Sequence, residues 1–437
     1  MTTPTSRTDL TRQFYEMLLE SQYWPQDQLV DFQRSQLEQL LRHARKNVPF
    51  YENRLDPVFR PNGSIDLDRW RDIPILKRQD MIEHREAMLA RELPKGHEGT
   101  HDSSTSGSTG QPITVRSSAV ADMALKAAIY RTHRWHELDW SRSMLAWRGV
   151  SDVSRLPHGY SAGKWGPDWD SSAAGELIYV FRNEQPRDVI EFMRRQEIAY
   201  LASRPQQAQA LALDAVRLGA ELPLSGILTF GTGIGAAERE DCRAAFGAEM
   251  WANYSSKEVG LIAHQCPHGQ LHAISEIGLI EIIDDAGRPA LPGEMGRVIV
   301  TSIFNAAQPI IRYDQGDLAL AGSVCTCGRT LPTVGRIVGR QTHLFRFPDG
   351  RTVAPNIHDR YREVLGAQYW QIAQIGPTAF EVRYVPFPGQ AADQPAFAKI
   401  VSDHLLRDDL TITFSPRDEL AREGSKFIQY VYEVETQ

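Results

Sequence analysis

The sequence is poor in cysteine and lacks long apolar runs. Four cysteines in 437 residues are too few for a disulfide framework, so they are either buried thiols or metal ligands. No stretch approaches the roughly 18 apolar residues of a membrane span, and residues 1–10 lack the apolar core of a signal peptide. We therefore expect a cytoplasmic protein without a membrane partner.

The sequence also lacks a strong excess of one charge. It has 48 basic and 55 acidic residues, a net charge of -7, and no strong basic cluster, so no nucleic-acid partner is predicted. With 42% hydrophobic and 24% charged residues, the composition is typical of a globular chain with two or three domains. Local motifs must therefore indicate the function.

Apolar spacing predicts the organisation of the chain. Helices are expected in a lead-in over residues 1–100 and, farther on, over 119–135, 187–196 and 206–218. Short apolar runs alternate with these helices, which predicts an α/β layer with largely parallel strands. Residues 260–339 are β-rich, and the pattern changes again after Gly339. The predicted fold class is α/β, with a large body at 1–339 and a small α+β domain at 340–437.

Residues 103–110 contain only glycine, serine and threonine. A backbone this free of large side chains can wrap an anion with amide groups and hydroxyls, although composition alone favours a flexible linker. The run lacks the Gly-Lys-Ser/Thr ending of a Walker loop and leads into a strand-like segment. We therefore expect the run to bind a nucleoside triphosphate. We do not expect it to be the phosphate-binding loop of a kinase or GTPase.

Four further segments follow in a specific order. They read NYSSKE at 253–258, IRYDQGD at 311–317, RIVGR at 336–340 and EGSK at 423–426. Together with the small-residue loop they resemble the motif set of the adenylate-forming superfamily of acyl-CoA synthetases. Within it, VPFY at 48–51 and CTCGRT at 325–330 resemble the phenylacetate-CoA ligases. The resemblance spans nearly the whole chain and implies a mobile C-terminal domain, with ATP, Mg²⁺ and CoA as ligands.

The resemblance implies which residues bind ATP. The phosphate loop would comprise Ser104, Ser106, Gly107, Ser108, Thr109 and Gly110. Tyr254 would stack on adenine beside Ser255, and Asp317 would accept hydrogen bonds from both ribose hydroxyls. Glu258 would act in catalysis by holding Mg²⁺, a cation that prefers oxygen ligands.

Two cationic residues are expected near the domain junction. Arg340 would contact the nucleotide, and the role of Arg336 stays open. Lys426 would reach the acid and the α-phosphate during adenylation and withdraw when the small domain rotates. For Lys426 the alternative is a solvated lysine near the C-terminus.

The implied reaction joins a carboxylic acid, expected to be aryl or arylacetic, to AMP with release of pyrophosphate. The acyl group then passes to a nucleophile, most often the CoA thiol. Lys257 departs from the family, which usually has serine or threonine there, and Gln341-Thr342-His343 replaces an acidic hinge. An amine or carrier-protein acceptor therefore stays open, as does a nucleotide-binding protein without ligase activity. A homodimer is expected by analogy alone.

Three of the cysteines lie near two histidines in the β-rich part. Glycine or proline beside each cluster suits the turns from which zinc ligands project. We predict a tetrahedral structural zinc site, with His268 as the alternative imidazole and buried thiols as the alternative interpretation. The predicted ligands are Cys266, His272, Cys325 and Cys327.

Two further predictions concern apolar side chains. Cys242 lies on a helical stretch and is expected in the core. Four tryptophans between the phosphate loop and the later motifs could line an acid pocket, although buried tryptophans more often serve packing. They are Trp135, Trp147, Trp165 and Trp169.

Overall fold

The computed structural model describes most of the chain. The described residues are 6–104, 112–148, 156, 159–181, 184–340, 344–353, 355, 357, 359–387, 389–420, 422–423, 426–427 and 429–434. They form two compact units. The first comprises the described residues of 1–103, 114–315 and 319–337, and the second those of 104–113, 316–318 and 338–437.

The first unit contains seven described helices. They are α1 (Arg7–Ser21), α2 (Gln26–Asn47), α3 (Arg78–Glu83), α4 (Ala119–Trp135), α5 (Pro186–Arg195), α6 (Pro205–Arg217) and α7 (Ala236–Phe246). Their starts follow from local chemistry. Ser6 forms a capping box with Asp9 at α1, and Ser118 caps α4 through the amide of Ala121. None of the helices in the described part of the chain has the length and hydropathy needed to cross a bilayer.

The lead-in is less helical than the periodicity predicts. After α2 the chain forms short 3₁₀ helices at Pro49–Tyr51, Asp56–Val58 and Leu67–Asp72. Prolines explain part of the difference, because a proline inside a helix removes a backbone donor and clashes with the preceding turn. Tyr51 is fully buried, and its hydroxyl donates to the carbonyl of Pro309 at 3.0 Å.

Twelve strands of the described residues form one sheet. They are β3 (Met144–Arg148), β4 (Tyr160–Lys164), β5 (Glu176–Phe181), β6 (Tyr200–Ser203), β7 (Gly226–Thr229), β8 (Met250–Ser256), β9 (Gly260–Gln265), β10 (Leu271–Ala273), β11 (Gly278–Ile283), β12 (Met295–Ser302), β13 (Ile310–Ala321) and β14 (Thr333–Arg340). A separate two-stranded sheet consists of β1 (His101–Ser104) and β2 (Thr114–Ser117).

The order of the twelve strands is β11-β12-β13-β14-β10-β9-β8-β7-β6-β3-β5-β4. The run from β5 through β3, β6 and β7 to β8 is parallel, and β9 pairs antiparallel with β8. The predicted parallel α/β layer and the β-rich part that follows it are therefore confirmed. The change of direction occurs at β8, where the predicted adenine-binding motif lies.

The parallel strands are covered by helices α5, α6 and α7, which supply a continuous apolar core. All four residues of β7 are buried, as expected for a strand covered on both faces. Cys242 of α7 is buried in this core, and burial raises its pKa to about 12. The thiol is therefore a packing group, as predicted.

The second unit is α+β. Its strands are β15 (Phe345–Arg346), β16 (Thr352–Val353), β17 (Ala367–Gln374), β18 (Ala379–Pro386), β19 (Thr411–Pro416), β20 (Arg422–Glu423), β21 (Lys426–Phe427) and β22 (Tyr430–Tyr432), and its helix is α8 (Gln394–Leu405). Four strands form a sheet in the order β19-β18-β17-β22. Trp370 of β17 packs edge-to-face against Phe397 of α8, which seals the helix onto the sheet.

Candidate functional site

Strand β8 carries the predicted adenine-binding motif. Tyr254 pairs with Ala263 and Ser255 with Leu261, so the register with β9 shifts between two neighbouring residues. Such a bulge changes the direction of the side chains that follow it. Tyr254 is half-buried, whereas Ser255 is exposed. The bulge therefore gives different surroundings to two residues that are adjacent in the motif.

Glu258, in the turn after β8, is a mostly buried carboxylate with few partners. Its side chain is 9% exposed, and Oε1 lies 4.0 Å from Nη1 of Arg78. The hydroxyl of Tyr313 donates to the same oxygen at 3.4 Å. Both distances exceed the roughly 2.9 Å of a strong charge-assisted hydrogen bond. Among the described residues none hydrogen-bonds Oε2, so the carboxylate can accept an added cation, for which Mg²⁺ is chemically suited.

An ion pair joins the two strands on either side of the predicted phosphate loop. Nε and Nη2 of Arg116 donate to the two carboxylate oxygens of Asp102 at 2.7 and 3.1 Å. These hydrogen bonds hold the pKa of Asp102 below its usual value. The amide of Arg116 also donates to Oε1 of Gln308 at 2.8 Å. The two strands that lead into and out of the loop are thus joined by side chains as well as by pairing.

The remaining nucleotide predictions fall on less fully described positions. The loop residues Ser106, Gly107, Ser108, Thr109 and Gly110 lie outside the described residues. Ser104 ends β1, and Asp317 is half-buried in β13 directly after Gly316, whose φ is +72°. Arg340 ends β14 and Lys426 begins β21. The proposed roles of these residues stay predictions.

The four predicted zinc ligands converge. The ligand atoms of Cys266, His272, Cys325 and Cys327 all lie within 4.8 Å of one another. The Sγ atoms of Cys266 and Cys325 are 3.7 Å apart, and Sγ of Cys327 lies 3.3 Å from Nε2 of His272. Zn–S bonds of about 2.3 Å in a tetrahedron put two sulfurs about 3.8 Å apart, so the four groups fit such an ion.

The surroundings of the cluster act unequally on its ligands, because burial raises the pKa of the Cys325 thiol to about 11. Nδ1 of His272 lies 2.8 Å from the carbonyl of Leu331, and donation to that carbonyl leaves Nε2 with a lone pair toward the cysteines. Burial lowers the pKa of His272, which keeps the imidazole neutral. Burial raises the pKa of Cys327, but hydrogen bonds with Arg329, Cys325 and Cys266 together outweigh that effect and lower it. The alternative ligand His268 is engaged with the hydroxyl of Thr326 at 3.0 Å.

Two turns bring the ligands together. Cys266 follows β9, and its turn closes with the amide of Gly269 donating to the Cys266 carbonyl at 2.9 Å. Cys325 and Cys327 lie between β13 and β14, where Gly328 has a φ of +84°. Because β10 pairs with β14, the two turns meet at one end of the sheet. Glycine allows both left-handed turn positions without strain.

All four tryptophans lie in or against the apolar cores of the first unit, and three of them have described polar or aromatic partners. Nε1 of Trp135 donates to Oε1 of Gln22 at 2.7 Å, Nε1 of Trp165 donates to a backbone carbonyl at 2.8 Å, and Trp169 packs among tyrosines. Trp147 differs. It lies near the carboxyl end of β3, and its buried Nε1 has no hydrogen-bond partner among the described residues. Trp147 therefore stays a candidate for an acid pocket.

Several residues of the site were not predicted. Tyr313 lies inside the IRYDQGD motif, which marks this segment as part of the site. The motif does not indicate the contact of Tyr313 with Glu258. Arg78 and Arg116 lack a recognisable local pattern. Tyr313 and Arg78 contact the predicted Glu258 from segments that are distant in sequence, whereas Arg116 pairs with Asp102, 14 residues before it.

Comparison with solved structures identifies the class of fold. A 2-hydroxyisobutyryl-CoA ligase in the postadenylation state, in complex with R3-HIB-AMP, superposes with a TM-score of 0.66 at 19% identity, over 92% of this chain and 88% of that one. The chain thus has the fold of the adenylate-forming CoA ligases, which confirms the predicted fold class. No family model matches the sequence.

Two curated relatives with known names are similar to this chain in sequence. The phenylacetate-coenzyme A ligase of Thermus thermophilus is 25% identical over 334 residues, which cover 72% of this chain and 71% of the relative. The phenylacetate-coenzyme A ligase of Escherichia coli is 24% identical over 352 residues, with the same two coverages. The resemblance to phenylacetate-CoA ligases inferred from the motifs is confirmed.

Proposed function

We propose that this protein activates a carboxylic acid with ATP, forming an acyl-adenylate and pyrophosphate, and then transfers the acyl group to the CoA thiol. The observation that carries the proposal is the state of Glu258. It is a mostly buried carboxylate that follows an adenine-type motif on β8, and among the described residues it has only weak contacts, with Arg78 and Tyr313. Such a group suits a metal–nucleotide complex, which arrives with substrate.

Mg²⁺ would be held by Glu258, and when bound it would offset negative charge on the phosphates during attack by the acid. Arg116 and Asp102 would position the phosphate loop through their ion pair. Tyr254, Ser255, Asp317, Arg340 and the loop residues would orient the nucleotide, and Lys426 would approach the acid and α-phosphate. The mobility of residues 340–437 and the cytoplasmic location are part of the same proposal.

The acid is proposed to be aryl or arylacetic. The support is the resemblance to phenylacetate-coenzyme A ligases of two bacteria. Trp147, near the carboxyl end of β3, offers an aromatic surface at the edge where the parallel strands β6, β7 and β8 also end. Ligands of open parallel sheets bind outside the carboxyl ends of the strands.

We further propose that the Cys/His cluster, meaning Cys266, His272, Cys325 and Cys327, holds a structural zinc ion. The cluster fits tetrahedral coordination, and four protein ligands would fill all four positions of the ion, as in structural zinc sites. Metal analysis of the purified protein tests this proposal, and we expect one zinc ion per chain. Protein purified without stoichiometric zinc, which also takes up none on titration, would refute it.

The proposed reaction is tested by exchange of labelled pyrophosphate into ATP across a panel of aryl, arylacetic and aliphatic acids. We expect exchange that requires Mg²⁺ and is fastest with an aryl or arylacetic acid. CoA is then added, and the acyl-CoA thioester is measured by mass spectrometry. Exchange without a thioester would indicate an amine or carrier-protein acceptor, and no exchange with any acid would favour a nucleotide-binding protein without ligase activity.

A matched pair of variants tests the predicted lysine. Lys426→Ala should abolish acid-dependent exchange, because the ammonium near the α-phosphate is lost. Lys399→Ala removes an exposed lysine of α8 that pairs with Asp403 and should leave exchange unchanged. Equal exchange rates in the two variants would contradict the role of Lys426.

A further inference from the structure

Arg312 lies in strand β13 with a backbone conformation unusual for an arginine. Its φ is +53°, in the left-handed region that favours glycine, and the residue is only 2% exposed. A strained backbone of this kind persists only where surrounding contacts hold it, and it often marks a functional site. The position is therefore held for a reason that local propensity does not supply.

The guanidinium of Arg312 supplies the contacts that hold it. Nε and Nη2 donate to the two carboxylate oxygens of Glu281, each at 3.1 Å. Nη1 donates to the carbonyls of Arg71 and Ile73 at 2.6 and 2.7 Å. A planar fork of donors can satisfy a carboxylate and two carbonyls at once, whereas an ammonium cannot reproduce that geometry. The arginine therefore locks β13 to the segment that precedes α3.

Backbone hydrogen bonds on either side of Tyr313 also join β13 to the segment that precedes α3. The amide of Leu76 donates to the carbonyl of Arg312 at 2.9 Å, and the amide of Asp314 donates to the carbonyl of Leu76 at 2.9 Å. Tyr313 lies between these two bonds as the bridge partner of Leu76. Its side chain is buried, and its hydroxyl reaches Oε1 of Glu258 at 3.4 Å. The conformation at Arg312 thus determines where the phenol of Tyr313 lies.

We propose that Arg312 is a positioning residue for Glu258, acting through Tyr313. Arg312 makes no contact with Glu258 among the described side chains. Its contacts with Glu281 and with the carbonyls before α3 hold the left-handed turn, and the turn presents the Tyr313 hydroxyl to the carboxylate. The inference rests on the proposed function, in which Glu258 holds the metal of the metal–nucleotide complex.

The test is the Mg²⁺ concentration that gives half-maximal pyrophosphate exchange. The variants are Tyr313→Phe, which removes only the hydroxyl, and Arg312→Lys, which keeps the charge but loses the fork. Each should raise that concentration by about tenfold, a size typical for the loss of a group that orients a metal ligand. The Mg²⁺ concentration that half-saturates ATP binding in the absence of acid should rise in parallel, whereas the KM for the acid should change much less.

A double-mutant cycle separates positioning from general destabilisation. If Arg312 acts through Tyr313, then Arg312→Lys in the Tyr313→Phe background should cause little further increase in the Mg²⁺ requirement. The matched control is Arg131→Lys. Arg131 forms a buried ion pair with Glu276 in the same unit, without a contact to Tyr313 or Glu258. The control should lower thermal stability but leave the Mg²⁺ requirement at the wild-type value.

The outcomes distinguish this inference from the proposed function. A wild-type protein without exchange would refute the proposed function and the inference with it. A wild-type protein with exchange, combined with a normal Mg²⁺ requirement in Tyr313→Phe, would refute the inference alone. Additive effects in the double variant, or the same Mg²⁺ shift in Arg131→Lys, would refute it as well.

Discussion

The Cys/His cluster and the surroundings of Glu258 lie on neighbouring strands of one sheet but are built differently. The cluster brings four ligand atoms within 4.8 Å of one another, three from two glycine-containing turns and one from His272 in strand β10. In the part of the chain that the structure describes, Glu258 has one cation at 4.0 Å and one hydroxyl at 3.4 Å, each from a separate segment. The first arrangement suits a permanently bound ion. The second suits a cation that arrives with the nucleotide and leaves with pyrophosphate.

The difference has a physical basis. A structural metal site stabilises a fold because its ligands are deprotonated and already close together, so the binding energy adds to the folding energy. A catalytic carboxylate must keep its oxygens available until substrate binds, because an ion pair that engages both oxygens would compete with the cation. The two regions should therefore respond differently to mutation.

The largest expected effect is on stability at the Cys/His cluster. Cys325→Ser should abolish stoichiometric zinc binding and lower the free energy of unfolding by roughly 4 kcal/mol when free zinc is about a thousandfold above the wild-type Kd. Urea unfolding with and without zinc measures the difference. Cys242→Ala should keep its zinc, because Cys242 is a buried thiol in the core between helices and sheet. If zinc does not change the unfolding free energy of the wild type, the proposed difference between the Cys/His cluster and the Glu258 site is contradicted.

A second effect concerns acid. Burial lowers the pKa of His136, whose Nε2 lies 2.7 Å from the carbonyl of Gln265, to about 4, well below the value near 6.5 that an unfolded chain would have. The unfolded state therefore binds the proton more tightly. The stability contributed by neutral His136 is complete above pH 6.5 and should fall by roughly 3 kcal/mol as the pH drops toward 4.

The measurement is the free energy of unfolding at fixed zinc between pH 7 and 4. The variant His136→Gln should show a shallower decrease than the wild type, because it has one group fewer to protonate. Identical slopes would show that His136 does not contribute to the acid sensitivity of this region.

The third effect is catalytic. Glu258→Gln should lower pyrophosphate exchange by about 100-fold, or about 2.7 kcal/mol of transition-state stabilisation. Zinc content should stay at the wild-type value, and the free energy of unfolding should change by less than about 1 kcal/mol. The control Glu240→Gln alters an exposed glutamate of α7 and should leave exchange unchanged. A large loss of stability in Glu258→Gln would mean that the carboxylate is structural after all.

The smallest effect separates packing tryptophans from a pocket tryptophan. Trp135→Phe removes the hydrogen bond to Gln22 and should destabilise the protein by about 1 kcal/mol without changing the order of preferred acids. Trp147→Phe should change the relative exchange rates of aromatic acids. Equal acid preferences in both variants would remove Trp147 from the proposed pocket.

Much of the fold could be predicted because it follows from periodicity and caps. Helix α4 has the predicted bounds, 119–135, with Ser118 as its cap, and the parallel strands follow the predicted alternation. The lead-in was predicted less well. After α2 the chain forms short 3₁₀ helices, with Pro49 and Pro57 in their first turns, in place of a longer α-helix.

The sequence predicts the Cys/His cluster more completely than it predicts the surroundings of Glu258. The cluster ligands are indicated by their residue types and by the glycines beside them, so the structure needed only to bring two turns together. The partners of Glu258 carry no such signal. Arg78 is an ordinary arginine at the start of a short helix, and Tyr313 is visible only as part of a motif.

The sequence by itself determined the class of reaction to test, the four metal-ligand candidates and most of the helices, because each depends on residue types at short spacing. The tertiary structure alone decided that His272 rather than His268 joins the three cysteines, since strand pairing between β10 and β14 sets that geometry. It also decided the left-handed conformation of Arg312. That conformation depends on a carboxylate and carbonyls from distant segments, and no local propensity of arginine would favour it.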